Sequence, residues 1–166
     1  FGVTLLGPAF ADPVTVAAAA RLTGEPDPPP PAWSGWTTLV VVGAHLTGEP
    51  LNGELTARGG HLVRPAATAA AYRLHALATH PPKPGLIRVP AGGAPIACEL
   101  WRMPVDMFGD FVRRVPPPLT IGTVELSDGT THPGFLCEGW ATAEAHDITT
   151  HGGWIAYRHT QEGKAP

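Results

Sequence analysis

Proline and glycine interrupt this chain so often that few long helices or strands fit between them. Of its 166 residues, 20 are proline and 20 are glycine. Proline fixes the backbone angle φ and removes an N–H donor, and glycine enters turns that other residues avoid. The composition therefore indicates many short elements joined by turns and argues against a helical bundle. At this length, with 43% hydrophobic residues, the chain forms one domain, with or without an appendage.

The apolar runs between these breaks have the length and composition of strands. We predict strands over residues 37–42, 72–78, 85–89, 96–103, 120–126 and 131–137. Asp128-Gly129 lies between the last two runs and favours a tight hairpin. A short helix or turn is predicted over 50–58. A longer amphipathic helix is predicted over 104–114, with an apolar stripe of Val105, Phe108, Phe111 and Val112. Because no alternation of strands and helices appears, we expect an α+β fold, mainly an antiparallel sheet or barrel with a few helices.

The order of these elements suggests four segments. Residues 1–22 read as a strand over 1–6 and an alanine-rich helix over 14–22, which offers little apolar surface to a core. Residues 23–36 contain a run of prolines that is typical of a semi-rigid linker. Residues 37–157 hold the compact domain, and 158–166 are predicted to be a tail.

Charge and composition exclude several classes of function. The net charge is −3 and the 11 basic residues are dispersed, so no nucleic-acid partner is expected. The longest uncharged apolar stretch, residues 14–20, is too short to cross a membrane. Cys98 and Cys137 suit buried free thiols in a reducing cytoplasm. The histidines show no metal-binding spacing, and we predict no metal and no cofactor.

The stretch 39–52, LVVVGAHLTGEPLN, is the best candidate for a site. A strand-like run breaks at Gly43 and brings His45 just past its end. Glycine tolerates a close ligand approach that other residues do not. From the residue type alone, His45 is either a structural histidine whose hydrogen bonds are made within the protein or a functional group. The segment is followed by Asn52, which either binds a ligand or ties the turn after Pro50.

In sequence, GAHLTGEPLN resembles the opening motif of the C-terminal domain of allophanate hydrolases. Other blocks resemble the same family in the same order. They are AYRL (71–74), PGLIRV (84–89), the block from ELW to TIGTV (99–124), GFLCE (134–138), DIT (147–149) and GGW (152–154). The leading FGVTLLGPAFAD resembles the last strand and helix of the amidase domain that precedes this domain in such enzymes. Residues 1–22 are therefore expected to be the end of an amidase domain.

The resemblance implies a fold and an activity. The family domain resembles the gamma-glutamyl cyclotransferase-like fold. The amidase domain of such enzymes removes ammonia from allophanate and leaves N-carboxycarbamate. The C-terminal domain is linked to decarboxylation of that product, in the breakdown of urea or of s-triazine-derived compounds. The implied partners are a small dicarboxylate substrate and an amidase domain of the same or a partner chain, in the cytoplasm. Whether the chain forms a homodimer stays open, as does whether it acts in urea or in s-triazine breakdown.

Within this resemblance we assign His45 as the catalytic residue and Gly43, Asn52, Tyr72 and Arg88 as substrate-binding residues. Loss of CO2 from a nitrogen leaves charge on that nitrogen, so a positioned proton donor lowers the barrier. The Arg88 fork suits a carboxylate, although an arginine on a strand is more often a solvated edge charge. Tyr72 could equally pack in the core as bind substrate, because an aromatic residue on a strand is usually a packing residue.

Three functions from different classes remain open. The first is decarboxylation by this domain. The second is a non-catalytic module that docks on the amidase domain while its unstable product decays unaided. The third is a cyclotransferase-like enzyme on a gamma-glutamyl substrate, which needs a carboxylate base; Glu138 is the candidate, but an acid in the first turn of a following helix explains it as well. Amidase chemistry of the serine–serine–lysine type is excluded in this sequence, because its serines are Ser34 and Ser127 and neither lies in a suitable loop.

Overall fold

The computed structural model describes residues 2–7, 12–26 and 35–163. Its strands are β1 Trp36–Val41, β2 His61–Ala67, β3 Tyr72–Leu77, β4 Lys83–Arg88, β5 Ala97–Pro104, β6 Leu119–Glu125, β7 Thr131–Cys137 and β8 His146–Asp147. Its helices are α1 Asp12–Thr23, α2 Asn52–Thr56, α3 Val105–Arg113 and α4 Trp154–Glu162, with 3₁₀ turns at Gly139–Thr142 and Thr149–His151. None of the described helices is long and apolar enough to cross a bilayer.

The strands form two sheets. The five-stranded sheet has the order β2-β5-β1-β7-β6, and the three-stranded sheet has the order β4-β3-β8. Every pairing is antiparallel except that of β1 with β7, which is parallel at Val40 and Gly134. The sheets meet where Gly85 of β4 approaches Cys137 of β7 so closely that a Cβ on the glycine would lie 2.6 Å from the sulfur. The predicted α+β fold with antiparallel sheets is confirmed.

Strand β1 runs through the middle of the core. Leu39, Val40 and Val41 are completely buried. A strand with neighbours on both sides and cover on both faces reads as a continuous apolar run, which is why no alternation is visible in LVVV. At its end the chain leaves the sheet and enters the segment that carries His45. The core therefore fixes where that segment begins.

Most predicted elements are found within a residue or two of their expected bounds, including the β6–β7 hairpin, in which Gly129 has a φ of +82°. Helix α3 packs Phe111 into the core and Phe108 against it. The rest of the predicted apolar stripe is less buried: Val112 is half-buried, and Val105 is 43% exposed. It begins the helix, and its N–H bonds to Gly35 at the end of the sheet, so it lies one turn short of the core.

Other predictions need correction or fall partly outside the described residues. Residues 2–6 form no strand, although a strand was predicted there. Strand β2 was missed because this edge strand is mostly exposed and its sequence, HLVRPAA, shows no clean alternation. Most of the predicted linker is not described, and Trp36 at its end belongs to β1. Helix α4 crosses the predicted boundary at residue 157, so residues 158–162 continue a helix that begins inside the predicted domain.

Candidate functional site

The segment 43–51 leaves strand β1 and folds back on itself before α2. The N–H of Leu46 donates to Gly43 O at 2.8 Å, and the N–H of Leu51 donates to Ala44 O at 2.8 Å. The side chain of Asn52 donates to the backbone oxygen of His45 at 2.8 Å. We call residues 43–51 the His45 loop. These bonds close the loop from both ends and hold the backbone of His45 in one place.

His45 lies in an aromatic setting with one acidic partner. The residue is 8% exposed. Its ring stacks on Phe135 with a centroid distance of 4.9 Å and meets the Phe111 ring edge-on at 5.3 Å. Its Nε2 donates to Glu54 Oε2 at 3.1 Å. Burial lowers the pKa of His45, Glu54 opposes that shift, and the charges of Lys83 and Arg58 add to it. With a lowered pKa, the imidazole is mainly neutral near pH 7 when no anion is bound.

His45 and Glu54 line a pocket of about 240 Å³. Its remaining walls are mostly apolar, and two cations, Lys83 and Arg114, also line it. A concave site with apolar walls and a few converging polar groups is the usual form of a small-molecule site. The charges favour an anion, because two cations and a titratable imidazole face one carboxylate.

Asp110 organises the basic side of this pocket. Its carboxylate accepts hydrogen bonds from Arg58 Nη2 at 3.2 Å, from Arg114 Nε at 3.0 Å and from Arg113 Nη2 at 3.0 Å. Hydrogen bonds from Arg113, Arg114 and Arg58 lower the pKa of Asp110 to about 2. The carboxylate therefore stays charged at neutral pH and keeps the guanidinium of Arg114 at the pocket.

The family model described as the allophanate hydrolase C-terminal domain matches residues 37–159. The chain belongs to this family. It is 42% identical over 124 residues to the urea amidolyase of Saccharomyces cerevisiae and 40% identical over 124 residues to that of Lachancea kluyveri. Each match covers 72% of this chain and 7% of the relative. The chain thus spans a small part of the curated relatives that it matches.

Solved structures of similar proteins support the same family assignment. The allophanate hydrolase of Kluyveromyces lactis superposes with a TM-score of 0.74 and 38% identity, over 80% of this chain and 22% of that chain. The protein c4763 of uropathogenic E. coli superposes with a TM-score of 0.71 and 35% identity, over 75% of this chain and 97% of that chain. A chain that contains little beyond this fold has therefore been crystallised.

The structure divides the predicted site residues of this family member into two groups. His45, Gly43 and Asn52 lie together on or beside the His45 loop. Tyr72 and Arg88 are directly paired across β3 and β4, with Arg88 5.9 Å from the Tyr72 ring. Arg88 Nη2 donates to Glu125 at 2.6 Å, and the Tyr72 hydroxyl accepts from the N–H of Glu125 at 2.9 Å.

His45, Asn52 and Arg88, which the sequence assigned to one site, do not line one pocket; of these three described residues, only His45 is part of the pocket lining. Arg88 and Lys83 lie at opposite ends of strand β4. Five residues of extended chain span about 17 Å, so only one end of β4 reaches the His45 pocket. That end carries Lys83. Neither Tyr72 nor Arg88 is among the described residues that line the pocket.

Gly43 and Asn52 have local partners in the structure. A Cβ on Gly43 would lie 2.3 Å from Pro84 Cδ, so the close approach that this glycine permits is that of a proline ring. The Asn52 amide is engaged by the oxygen of His45, which supports a positioning role for this residue.

Sequence reasoning missed Glu54, Lys83 and Arg114 as pocket residues. Glu54 follows the GAHLTGEPLN motif by two residues, and its proximity to His45 was a usable signal. Lys83 and Arg114 come from β4 and the end of α3, and no local pattern joins them to His45. Glu138 lies outside the pocket lining, just before the 3₁₀ turn, and its carboxylate accepts a hydrogen bond from the Trp140 indole.

Other titratable groups do not form a metal site or a reactive thiol. Among residues 2–7, 12–26 and 35–163, no three histidine, cysteine or acidic side chains cluster as metal ligands. Cys98 and Cys137 are buried and unpaired, as predicted. Burial raises the pKa of Cys98 to about 12 and that of Cys137 to about 11, so both thiols stay protonated at neutral pH.

Proposed function

We propose that this domain releases CO2 from N-carboxycarbamate, the product left when an amidase domain removes ammonia from allophanate. The supporting observation is the pocket in which His45 lies with two cations, Lys83 and Arg114. The family relation supports a substrate in the same pathway, because the relatives are an allophanate hydrolase and urea amidolyases. In this proposal residues 37–157 act as the catalytic unit, and residues 1–22 belong to an amidase domain.

The reaction needs one proton and no external oxidant or reductant. The C–N bond to one carboxylate breaks, and its electron pair stays on the nitrogen while CO2 leaves. The nitrogen takes a proton, so that N-carboxycarbamate and one proton give CO2 and carbamate. The imidazolium of His45 supplies this proton as the bond breaks. General acid catalysis of this kind typically contributes about 10²–10⁴-fold to a rate.

The charges around His45 suit this role. In the free domain burial keeps the pKa of His45 low, so the ring is mainly neutral. Lys83 and Arg114 attract the two carboxylates of the substrate, and the arriving negative charge favours the charged imidazole. Glu54, bonded to Nε2, stabilises the same form. Substrate binding thus raises the pKa of the group that must donate the proton.

The test uses N-carboxycarbamate generated by a separate amidase domain, with ammonia and CO2 followed together. We expect His45→Asn to leave ammonia release unchanged and to remove most of the CO2 release above the spontaneous rate, a loss of about 10²–10⁴-fold. His61→Asn is the matched control, because His61 is exposed on edge strand β2 and lies outside the pocket lining. The control should behave like the wild type.

The pH dependence gives a second readout. Since the acid form of His45 is required, kcat/KM should fall as pH rises through the pKa of His45 in the free domain, which lies below 6.5. Spontaneous decay must be subtracted at each pH. If the wild type adds nothing to this decay, the domain is a docking module for the amidase domain. If His45→Asn accelerates CO2 release as well as the wild type, the domain is an enzyme that uses another residue.

A further inference from the structure

We propose that Glu49 is a positioning residue for His45, which it holds by tying the His45 loop to helix α4. Neither the sequence motif nor the pocket lining assigns a role to Glu49. Its effect on the rate rests on the function proposed above. Its effect on the His45 ring does not, and can be measured without substrate.

Glu49 makes two hydrogen bonds to residues far away in the sequence. Its Oε2 accepts from the Trp154 indole Nε1 at 3.0 Å and from Arg158 Nη1 at 3.1 Å. The Glu49 side chain is 11% exposed and Trp154 is 2% exposed. Hydrogen bonds to charged groups contribute more than neutral ones, and more when shielded from water. This contact is therefore a strong link between two segments that are far apart in the sequence.

Backbone hydrogen bonds on both sides of Glu49 connect it to His45. The N–H of Glu49 donates to Leu46 O at 3.0 Å, and the N–H of Asn52 donates to Glu49 O at 3.1 Å. The Asn52 side chain in turn bonds to the oxygen of His45. A shift of Glu49 thus reaches His45 through Leu46 on one side and through Asn52 on the other.

Helix α4, which carries the two partners of Glu49, is itself held against the five-stranded sheet. The N–H of Ala97 in β5 donates to Gly152 O at 2.8 Å, just before α4. A Cβ on Gly153 would lie 3.0 Å from Ala97 Cβ, so the start of the helix packs directly on this strand. Helix α4 therefore offers Glu49 a fixed point.

A second carboxylate holds the same loop from strand β5. Glu99 Oε2 accepts from the Thr47 N–H at 2.9 Å, from Thr47 Oγ1 at 3.0 Å and from Trp101 Nε1 at 2.8 Å. Neither Glu49 nor Glu99 is among the described residues that line the pocket. The two acids thus support the loop and leave the charges inside the pocket unchanged.

The location of this link predicts which kinetic constant changes. Glu49 is on the loop that carries His45, whereas Lys83 and Arg114 are on other elements. Loss of the link should therefore displace the proton donor and spare the groups that bind the carboxylates. A misplacement of about 1 Å can cost about 100-fold in rate. A fall in kcat with little change in KM is the expected pattern.

The experiment compares Glu49→Gln with Glu125→Gln. Glu125 also pairs with an arginine, Arg88, but lies on β6, away from the His45 loop. The imidazole of His45 is titrated by NMR, and kcat and KM are measured on the same samples. For Glu49→Gln we expect kcat to fall about tenfold to a hundredfold with KM changed less than about threefold. The pKa of His45 should rise toward 6.5 as water reaches the ring. Glu125→Gln should change neither.

A second pair of variants covers the case in which Glu49→Gln does not fold. Arg158→Leu removes one partner of Glu49 and keeps the Trp154 bond, so it should shift the His45 titration in the same direction by a smaller amount. Arg158→Lys keeps the charge and should restore most of the wild-type curve. An unchanged His45 titration in the folded variants, with or without a lower melting temperature, would overturn the proposal. If the wild type releases no CO2 above background, the proposed function fails while this titration still decides the role of Glu49.

Discussion

Replacing Gly43 by alanine should destabilise the domain through a clash with one rigid side chain. An added Cβ would lie 2.3 Å from Pro84 Cδ and 2.4 Å from Pro84 Cγ. Carbon atoms pack at about 3.5–4.0 Å, so the two side chains must separate by more than about 1 Å. Pro84 cannot turn its ring away. It pairs with Ala76 inside the three-stranded sheet, so relief requires strand β4 to move from the end of β1.

The magnitude follows from two opposing effects. Overpacking of this kind typically costs about 1–3 kcal/mol, and a rigid partner places Gly43→Ala at the upper end. The lower entropy of the unfolded alanine chain returns about 0.4–1 kcal/mol. We therefore expect a net loss of about 2 kcal/mol in the free energy of unfolding.

Urea denaturation followed by tryptophan fluorescence measures this loss. The matched control is Gly53→Ala in α2, where an added Cβ meets nothing within 4 Å. That change should be neutral or stabilise the domain by up to about 1 kcal/mol, because alanine is the better helix former. The packing argument is wrong if Gly43→Ala unfolds at the same urea concentration as the wild type.

Two further predictions concern the core and the domain boundary. Phe111→Ala should lower the free energy of unfolding by about 3–5 kcal/mol, because the ring is 2% exposed, whereas Val105→Ala on the same helix should cost less than about 1 kcal/mol. A loss under about 1 kcal/mol for Phe111→Ala in urea titrations would place the helix outside the core. Limited proteolysis should cut first within residues 23–36 and leave 37–157 intact, since the segment is proline-rich and α1 has exposed apolar residues such as Val14 and Leu22. First cuts inside 37–157, found by mass spectrometry, would contradict this division.

The sequence by itself determined the class of fold and the center of the site. Apolar runs between prolines and glycines located β1, β3, β4, β5, β6 and β7, because strand residues that face the core are apolar. Helix α3 was visible because its apolar residues recur at the helical period. His45 stood out because it follows a strand end within a motif that is specific to the family. These are local signals, and each is complete within a few residues.

Only the tertiary structure decided which distant charges surround His45. The sequence favoured Arg88 as the carboxylate partner and gave no sign of Lys83, although both lie on β4. The direction of that strand puts Lys83 at the pocket and Arg88 beside Tyr72. Glu49 likewise looks like a turn residue until α4 packs on β5 and brings Arg158 to it. Such choices depend on how separate elements pack against one another, and the spacing of residues along the chain carries no record of that packing.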